Sequence, residues 1–282
     1  TVRILAYHET DSEIRRLFVE AGMEVETLQW SRPTGVRGHL RLLFRLKKFF
    51  RQGQPSVVHV QYLAPGLIPI IAARLARVPV VIATVHQMNT YGTKAGQMLR
   101  SAAWFSNVFL CVSEAVERSW FGDSRVIIPG LALGTRKHWT IYNPVELPSN
   151  GENDILHNPA LQTTRTNGPI VGVVGRLRHE KGHAVLLKAF AILRNAHPNA
   201  RLLIVGDGPD RAALEKQALD LGIENRIQWA GIRLPEEVRR LYCAMDVVAI
   251  PSLAEGYGLV AAEALAAGRP VVASEVGGLV EV

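Results

Sequence analysis

Short apolar runs alternate with helix-length segments along nearly the whole chain. Runs such as PVVIATV at 79–85 and NVFLCV at 107–112 have the length of strands, and their near-continuous Val and Ile indicate strands buried on both faces. Between the runs, segments such as SEIRRLFVEAG repeat apolar residues at intervals of three and four, as amphipathic helices do. The alternation predicts an α/β chain with parallel, doubly wound sheets. Strands are predicted at 2–7, 23–30, 56–62, 79–85 and 107–112, and then at 170–175, 200–206, 226–231, 246–251 and 270–274.

The alternation stops near residue 147 and restarts at PIVGVVG. The segment between is rich in Pro, Asn, Gly and Thr and has little apolar periodicity, which is typical of a linker. We therefore predict two Rossmann-like domains, at 1–146 and 169–282, joined by a linker at 147–168. Since the sequence ends at GGLVEV, where a further helix would open, we expect the second domain to be incomplete at its C-terminus. An exposed apolar edge is expected there unless a partner chain completes the sheet.

The composition, 48% hydrophobic and 20% charged in 282 residues, is that of an ordinary globular protein. No apolar run is long enough to span a membrane, and the first residues lack the pattern of a signal peptide, so we expect a cytoplasmic protein. Cys111 and Cys243 alone cannot build a disulfide framework, and both are predicted to be buried thiols. The net charge of +7 favours an anionic partner: a phosphorylated small molecule, a membrane surface or nucleic acid.

The loop GRLRHEKG follows the predicted strand 170–175. Ligands of open α/β sheets bind beyond the carboxyl ends of the strands, where this loop places Arg176 and Lys181 beside Gly175. Two cations next to small residues can neutralise a diphosphate and let it approach the backbone. A solvated basic loop is the equally good alternative for this segment taken alone.

The loop SLAEGYGLVAAEALAAG follows the strand 246–251. Gly256 and Gly258 leave backbone N–H groups accessible where a helix begins, which is a suitable site for a phosphate. Glu255, before that helix, can accept hydrogen bonds from sugar hydroxyls, and Glu263 can accept them from a second hydroxyl pair such as that of a ribose. In isolation, a helix-capping carboxylate would be the better explanation of Glu255, and a surface charge the better explanation of Glu263.

Other motifs exclude classes of protein. In VGDGPDRAALE a dinucleotide fingerprint would need a third glycine at position 211, which is Arg211, so NAD binding is disfavoured. A Walker loop would need Gly-Lys-Ser/Thr, and many metal enzymes carry paired aspartates arranged as Asp-x-Asp; the sequence has neither. We predict no metal cofactor. His86 ends the strand 79–85, where it could bind a sugar or, more commonly, hold the chain structurally.

The segment RGHLRLLFRLKKFFRQG at 37–53 is predicted to form a basic amphipathic helix. Leu40 and Phe44 fall outside its core-facing stripe, among the cations Arg41, Lys48 and Arg51. Exposed apolar residues among cations suit an anionic lipid surface at the membrane periphery. A solvated helix face is the equally favoured alternative. The core-facing stripe consists of Leu42, Leu43, Leu46, Phe49 and Phe50.

In order and spacing, GRLRHEKGH, LLIVGDGPDRAALE, WAG and PSLAEGYGLVAAEALAAGRPVVASEVGGLVE resemble the donor domain of retaining glycosyltransferase family 4 over roughly 110 residues. The first domain resembles the family more loosely, through TVH at 84–86, VSE at 112–114 and IYNPVEL at 141–147. The resemblance implies a B-type fold, in which two Rossmann-like domains face a central cleft.

The resemblance also implies a hexosyltransferase that moves a sugar from a nucleotide sugar, UDP- or GDP-linked, to a glycan or lipid-linked acceptor with retention and without a metal. The partner would then be a nucleotide sugar and not nucleic acid. Family roles carried over to this sequence place Arg176 and Lys181 on the diphosphate, Glu255 on the donor sugar and Glu263 on the ribose. The backbone of Gly175, Gly256, Tyr257 and Gly258 would line the donor, and His86 would face the sugar.

One departure from the family pattern is HETDSE at 8–13, where a glycine pair is usual near the donor phosphate. Contact with the phosphate from that side is therefore not expected. Two alternatives stay open: a non-catalytic glycosyltransferase-like subunit that needs a partner chain, and, less favoured, a nucleotide-sugar epimerase of similar architecture.

Overall fold

A computed structural model describes residues 2–6, 12–20, 22–28, 30, 33–62, 66–128, 130, 134–146 and 168–282. All of the predicted linker 147–168 except its last residue, and residues 8–11 of HETDSE, lie outside these ranges. The described strands are β1 (Arg3–Ala6), β2 (Glu24–Thr27), β3 (Val57–Tyr62), β4 (Val80–Val85), β5 (Val108–Cys111), β6 (His138–Thr140), β7 (Ile170–Val174), β8 (Arg201–Val205), β9 (Ile227–Gly231), β10 (Val247–Ile250) and β11 (Val271–Ala273).

The described α-helices lie between these strands, as the apolar pattern predicts. Short 3₁₀ helices at His179–Lys181, Glu224–Arg226 and Gly277–Glu281 accompany them. The α-helices are α1 (Ser12–Glu20), α2 (Gly35–Gly53), α3 (Leu67–Leu75), α4 (Thr93–Arg100), α5 (Ala102–Phe105), α6 (Glu114–Phe121), α7 (His183–Ala196), α8 (Arg211–Asp220), α9 (Pro235–Ala244) and α10 (Leu259–Ala266).

The chain divides into two compact units, and the first comprises Thr1–Val58 and Leu67–Pro79. In it β1 pairs in parallel with β2, and α2 packs against α3. The helix α2 covers the predicted segment and buries Leu42, Leu46 and Phe50 of the predicted stripe. Leu40 and Phe44 are 47% and 60% exposed, as predicted. No described helix, α2 included, is long and apolar enough to cross a membrane.

The second unit comprises His59–Gly66 and Val80–Val282 and contains two further parallel sheets, with strand orders β3-β4-β5-β6 and β11-β10-β7-β8-β9. Both faces of the five-stranded sheet are covered, as the apolar strands predict. Phe190 of α7 and Leu214 of α8 pack on one face, and Tyr242 of α9 and Ala264 of α10 pack on the other. At the edge strand β11, Val272 is 66% exposed.

Nine of the ten predicted strands begin and end within two residues of a described strand, and the tenth, at 23–30, contains the shorter β2. The strand β6 was not predicted. One prediction about the cysteines is wrong: Cys111 is fully buried, and burial raises the pKa of its thiol, but Cys243 is only partly buried. The reason is that α9 turns Tyr242, its neighbour, into the core instead.

Candidate functional site

The strand order of the five-stranded sheet brings two distant loops together. β7 and β10 are neighbours, although β8 and β9 lie between them in the sequence, so the chain reverses its direction of winding at this pair. Such a switch point opens a crevice beyond the carboxyl ends of the two strands. The loops that flank it are 175–182 and 251–258. They are in close contact, because a Cβ added at Gly182, whose φ is +68°, would collide with the carbonyl oxygen of Pro251.

Lys181 and Glu255 meet at this crevice. The Nζ of Lys181 donates to Oε2 of Glu255 at 2.6 Å, and Ser252 Oγ donates to the same oxygen at 3.2 Å. The two charged side chains keep 26% and 16% of their exposure, so both remain accessible to a ligand. The structure thus joins two residues that the sequence predicts for one site but that stand 74 positions apart.

Arg176 lies on the same loop as Lys181 and is exposed, and its side chain has no hydrogen bond or ion pair to any other residue in the described ranges. Gly175 before it has a φ of +153°, and its carbonyl oxygen would collide with a Cβ at Gly206. A Cβ at Gly208 would likewise collide with the carbonyl oxygen of Leu177. The glycines of VGDG therefore let the loops after β7 and β8 pack together, which explains them without a dinucleotide.

The helix α10 begins directly after the predicted glycine-rich loop. Gly258 precedes it with a φ of +98°, a conformation that side-chain-bearing residues avoid. Tyr257 packs its ring at 5.6 Å, centroid to centroid, from that of Tyr142. The first amides of α10 follow Glu255 closely in the sequence. Because these amides have no partner within the helix, their N–H groups can bind an anion.

Glu263 lies one turn further along α10 and is not part of the Lys181 contact. Its Oε2 accepts a hydrogen bond from the hydroxyl of Tyr242 at 3.0 Å, and burial together with this carboxylate raises the pKa of that hydroxyl. Glu263, Tyr242, Val174 and Leu259 line a cavity of about 560 Å³, to which Arg233 contributes a cation. Tyr242 and Arg233 were not predicted from the sequence. A tyrosine on a helix most often packs in the hydrophobic core, so residue type alone did not mark Tyr242 as part of a site.

His86 ends a chain of hydrogen bonds on the four-stranded sheet. Its Nε2 lies 2.8 Å from Oε1 of Gln61, whose amide nitrogen lies 3.1 Å from Nε2 of His59, and that nitrogen lies 2.8 Å from the hydroxyl of Thr84. Since an amide oxygen only accepts, His86 carries its proton on Nε2, and Nδ1 is left as an acceptor. Burial lowers the pKa of both histidines, and the charge of His59 lowers that of His86 further.

The backbone of His86 reaches the loop 251–258. A Cβ at Gly256 would collide with the carbonyl oxygen of His86, so only glycine permits this approach. The structure therefore brings together His86, Gly256, Glu255 and Lys181, with Arg176, Gly175, Tyr257 and Gly258 on the adjoining loops. Gln61 and His59 were missed; the alternating HVQY of β3 is the signal that places them on one face.

No cluster of three or more His, Cys, Asp or Glu side chains able to hold a metal occurs within the described ranges. The charged groups at the crevice are those of an anion site, with one carboxylate beside it. They can bind a diphosphate through cations and amides, and a polyol through a carboxylate.

Two family models match the chain, one over each half. Glycosyltransferase Family 4 matches residues 1–126, and Glycosyl transferases group 1 matches residues 158–282. The second match contains all the crevice residues described above except His86, which falls within the first.

Curated relatives match about two fifths of the chain. An uncharacterized glycosyltransferase of Methanocaldococcus jannaschii is 43% identical over 109 residues, 39% of this chain and 28% of the relative. The 2-deoxystreptamine glucosyltransferase of Streptomyces kanamyceticus is 41% identical over 40% of this chain and 29% of its own length. The D-inositol 3-phosphate glycosyltransferase of Corynebacterium urealyticum is 46% identical over 39% and 28%. The matched segment thus spans less than a third of these relatives.

Solved structures match over nearly the whole chain. The Anabaena protein HepE in complex with UDP and glucose has a TM-score of 0.78 at 23% identity, covering 99% of this chain and 74% of its own. A glycosyltransferase from Rickettsia africae has a TM-score of 0.72 at 17% identity, covering 99% and 72%. The amino-terminal part of this chain is therefore similar to Glycosyltransferase Family 4 and its carboxyl-terminal part to Glycosyl transferases group 1, and the fold is the B-type glycosyltransferase fold with two Rossmann-like domains.

Proposed function

We propose that this protein transfers a sugar from a nucleotide-sugar donor to a glycan or lipid-linked acceptor, with retention of the anomeric configuration and without a metal. The observation that carries the proposal is the contact of Lys181 with Glu255 at the switch point, beside the exposed Arg176 and the start of α10. Similar proteins support it: HepE binds UDP, glucose and UDP-glucose, and the named curated relatives are glycosyltransferases.

The ion pair suggests how the donor is held. Without a donor, Lys181 and Glu255 neutralise each other at 2.6 Å. A diphosphate supplies Lys181 with a stronger anionic partner, and Arg176, which has no partner in the described ranges, adds a second cation. Glu255 is then free to accept hydrogen bonds from the sugar hydroxyls. The nucleoside would extend towards Glu263 and the cavity that contains Tyr242 and Arg233.

In the chemical step, negative charge develops on the leaving diphosphate. The acceptor oxygen bonds to the anomeric carbon on the face that the diphosphate leaves, and the bond from that carbon to the phosphate oxygen breaks. The leaving phosphate takes the acceptor proton, so the products are a glycoside and a nucleoside diphosphate. Lys181, Arg176 and the amides of α10 stabilise the growing negative charge more in the transition state than in the bound donor.

His86 contributes from the four-stranded sheet. Its proton is held by Gln61, so Nδ1 can accept a hydrogen bond from a sugar hydroxyl. The carbonyl oxygen of His86 packs against Gly256. This contact fixes the position of the histidine relative to the loop 251–258. We assign it a role in orienting the sugar.

The test compares two ion pairs. Lys181→Met and Glu255→Gln should each lower kcat/KM for transfer about 100-fold or more, because charge stabilisation in the transition state is lost. Lys216→Met is the matched control, since Lys216 pairs with Asp220 at 2.8 Å on the exposed face of α8. The assay follows nucleoside diphosphate release from a panel of nucleotide sugars that includes UDP-glucose, with and without EDTA.

Three results would contradict the proposal. Equal rates for Lys181→Met and Lys216→Met would contradict the assigned site. Inversion of the anomeric centre, detected by NMR of the product, would contradict the retaining mechanism. Loss of turnover in EDTA would remove the metal independence. Binding of UDP or GDP by calorimetry without turnover of any donor would instead favour the non-catalytic alternative.

A further inference from the structure

The 3₁₀ helix Gly277–Glu281 lies directly against the donor loop 255–258. The amide of Gly278 donates to the carbonyl oxygen of Glu255 at 3.1 Å. A Cβ at Gly277 would collide with that same oxygen, and a Cβ at Gly278 would collide with the carbonyl oxygen of Gly256. The two backbones therefore touch, so the position of this short helix fixes the position of the loop.

The last acidic residue of this helix bonds to the start of α6. The carboxylate of Glu281 accepts from the amide of Glu114 at 2.8 Å and from the amide of Ala115 at 2.7 Å. These are the first two amides of α6, which have no partner within the helix. A carboxylate that accepts two backbone amides at a helix N-terminus makes strong, charge-assisted hydrogen bonds.

Ser113 joins the same two segments from the other side. Its hydroxyl donates to the carbonyl oxygen of Gly256 at 2.6 Å and accepts from the amide of Val116, the third amide of α6, at 3.1 Å. Ser113 is fully buried, so these bonds are shielded from water. The first three amides of α6 are thus all used, two by Glu281 and one by the residue that holds Gly256.

The helix α6 is itself held firmly to the four-stranded sheet. Glu117 is fully buried and accepts from Thr140 at 2.6 Å, from His138 at 2.7 Å and from Arg136 at 2.8 Å. Burial alone would raise the pKa of Glu117, but these hydrogen bonds hold it below the usual value. Since α6 is anchored, its contacts with Glu281 and Ser113 restrain the donor loop.

We propose that Glu281, together with Ser113, is a positioning residue that holds the donor loop Glu255–Gly258 against the start of α6. The inference rests on the proposed function, because it concerns the same site. The loop carries Glu255, whereas the diphosphate cations Arg176 and Lys181 belong to a different loop. Loss of Glu281 therefore shifts the sugar relative to His86 while the diphosphate stays bound.

The experiment uses Glu281→Ala and Glu281→Gln in the full chain, with Glu275→Ala as the control. Glu275 is an exposed carboxylate six residues earlier, and its side chain has no hydrogen bond or ion pair in the described ranges. Amide hydrogen exchange should rise about fivefold or more at 113–116 and at 255–258 in Glu281→Ala, and stay unchanged in the control. Glu281→Gln keeps one acceptor oxygen and should lie between.

Kinetics and binding separate positioning from simple loss of structure. For Glu281→Ala, kcat should fall about 10- to 100-fold, while the Kd for UDP and GDP stays within about twofold of the parent. Unchanged exchange at 255–258 overturns the inference, and so does a Kd that weakens as much as kcat falls. If Glu281→Ala does not fold, Glu281→Gln is judged by the same two criteria.

The two proposals fail in different ways. A parent protein that transfers no sugar from any donor contradicts the proposed function, while the exchange and binding measurements still decide the role of Glu281. A parent that transfers sugar, with a Glu281→Ala variant equal to it in exchange and rate, contradicts only the role of Glu281.

Discussion

His183 is a buried histidine directly after the loop 175–182 of the crevice. It is the first residue of α7, is 3% exposed, and neither ring nitrogen has a hydrogen-bond partner in the described ranges. Burial, and secondarily the positive charge of Lys181, lowers the pKa of His183 from 6.5 to about 4. In mild acid the ring of His183 therefore stays neutral in the folded protein, whereas it is protonated in the unfolded chain.

This shift predicts a stability loss in mild acid. Above pH 6.5 the histidine is neutral in both states and has no effect. As the pH falls from there towards the folded pKa of about 4, the unfolded chain is stabilised, by about 2 kcal/mol at pH 5. His183→Leu removes this term, so its melting temperature relative to the parent should be higher at about pH 5 than at about pH 7.5.

The matched control is His197→Leu, since His197 is exposed at the end of α7. Its melting temperature relative to the parent should differ little between the two pH values. A pH-independent difference for His183→Leu would show that the ring accepts a proton in the folded protein at its ordinary pKa.

At the scale of single residues, the sequence predicts which side chains supply the chemistry, but it does not predict which of them are in contact. Arg176, Lys181 and Glu255 follow from residue type and from their place after strands. Their mutual contact depends on β7 lying beside β10, which strand propensity does not reveal. Glu281 was missed for a related reason: its partners are backbone amides 166 and 167 positions away, and any residue can supply an amide.

At the scale of elements, the long apolar runs were reliable, and β6 shows where the pattern fails. This strand is the tripeptide His138–Thr140, without a run of Val or Ile. It exists because its backbone pairs with β5, from Phe109 to Cys111, and because Glu117 bonds both His138 and Thr140. Tertiary contacts, and not local propensity, form it.

The helix α2 carries the membrane prediction. Its exposed face presents Leu40 and Phe44 among Arg41, Lys48 and Arg51, all of which are exposed. If that face enters a lipid surface, each apolar side chain adds about 1 to 2 kcal/mol of binding free energy. Leu40→Ser with Phe44→Ser should therefore weaken sedimentation with phosphatidylserine vesicles about 10-fold or more.

The control for this element is Ile192→Ser on α7, where the side chain is 71% exposed. It removes one strongly exposed apolar side chain from a helix outside the basic segment 37–53 and should leave vesicle binding unchanged. Equal binding by the double variant and the parent would show that this face of α2 is a solvated helix face that does not bind lipid.

At the scale of the whole molecule, the positive charge is segregated along the chain. Residues 27–113 contain eleven Lys and Arg and not one Asp or Glu. The rest of the chain holds 21 Lys and Arg and all 25 Asp and Glu, so the net charge of +7 arises entirely from this segment. Composition predicted an anionic partner but could not locate the surface.

The position of the charge, and not its sum, should decide membrane binding. Replacing Arg41, Lys48 and Arg51 with Gln removes three charges from the acid-free segment, and near an anionic surface each is worth about 1 kcal/mol. Affinity for phosphatidylserine vesicles at low salt should fall about 100-fold. Replacing the exposed Lys188, Arg201 and Lys216 of the carboxyl-terminal part changes the net charge equally. It should alter affinity about threefold at most, because these cations lie outside the acid-free segment, in a part of the chain where acidic residues outnumber basic ones. An equal loss in both triple variants would mean that net charge alone attracts the protein to lipid.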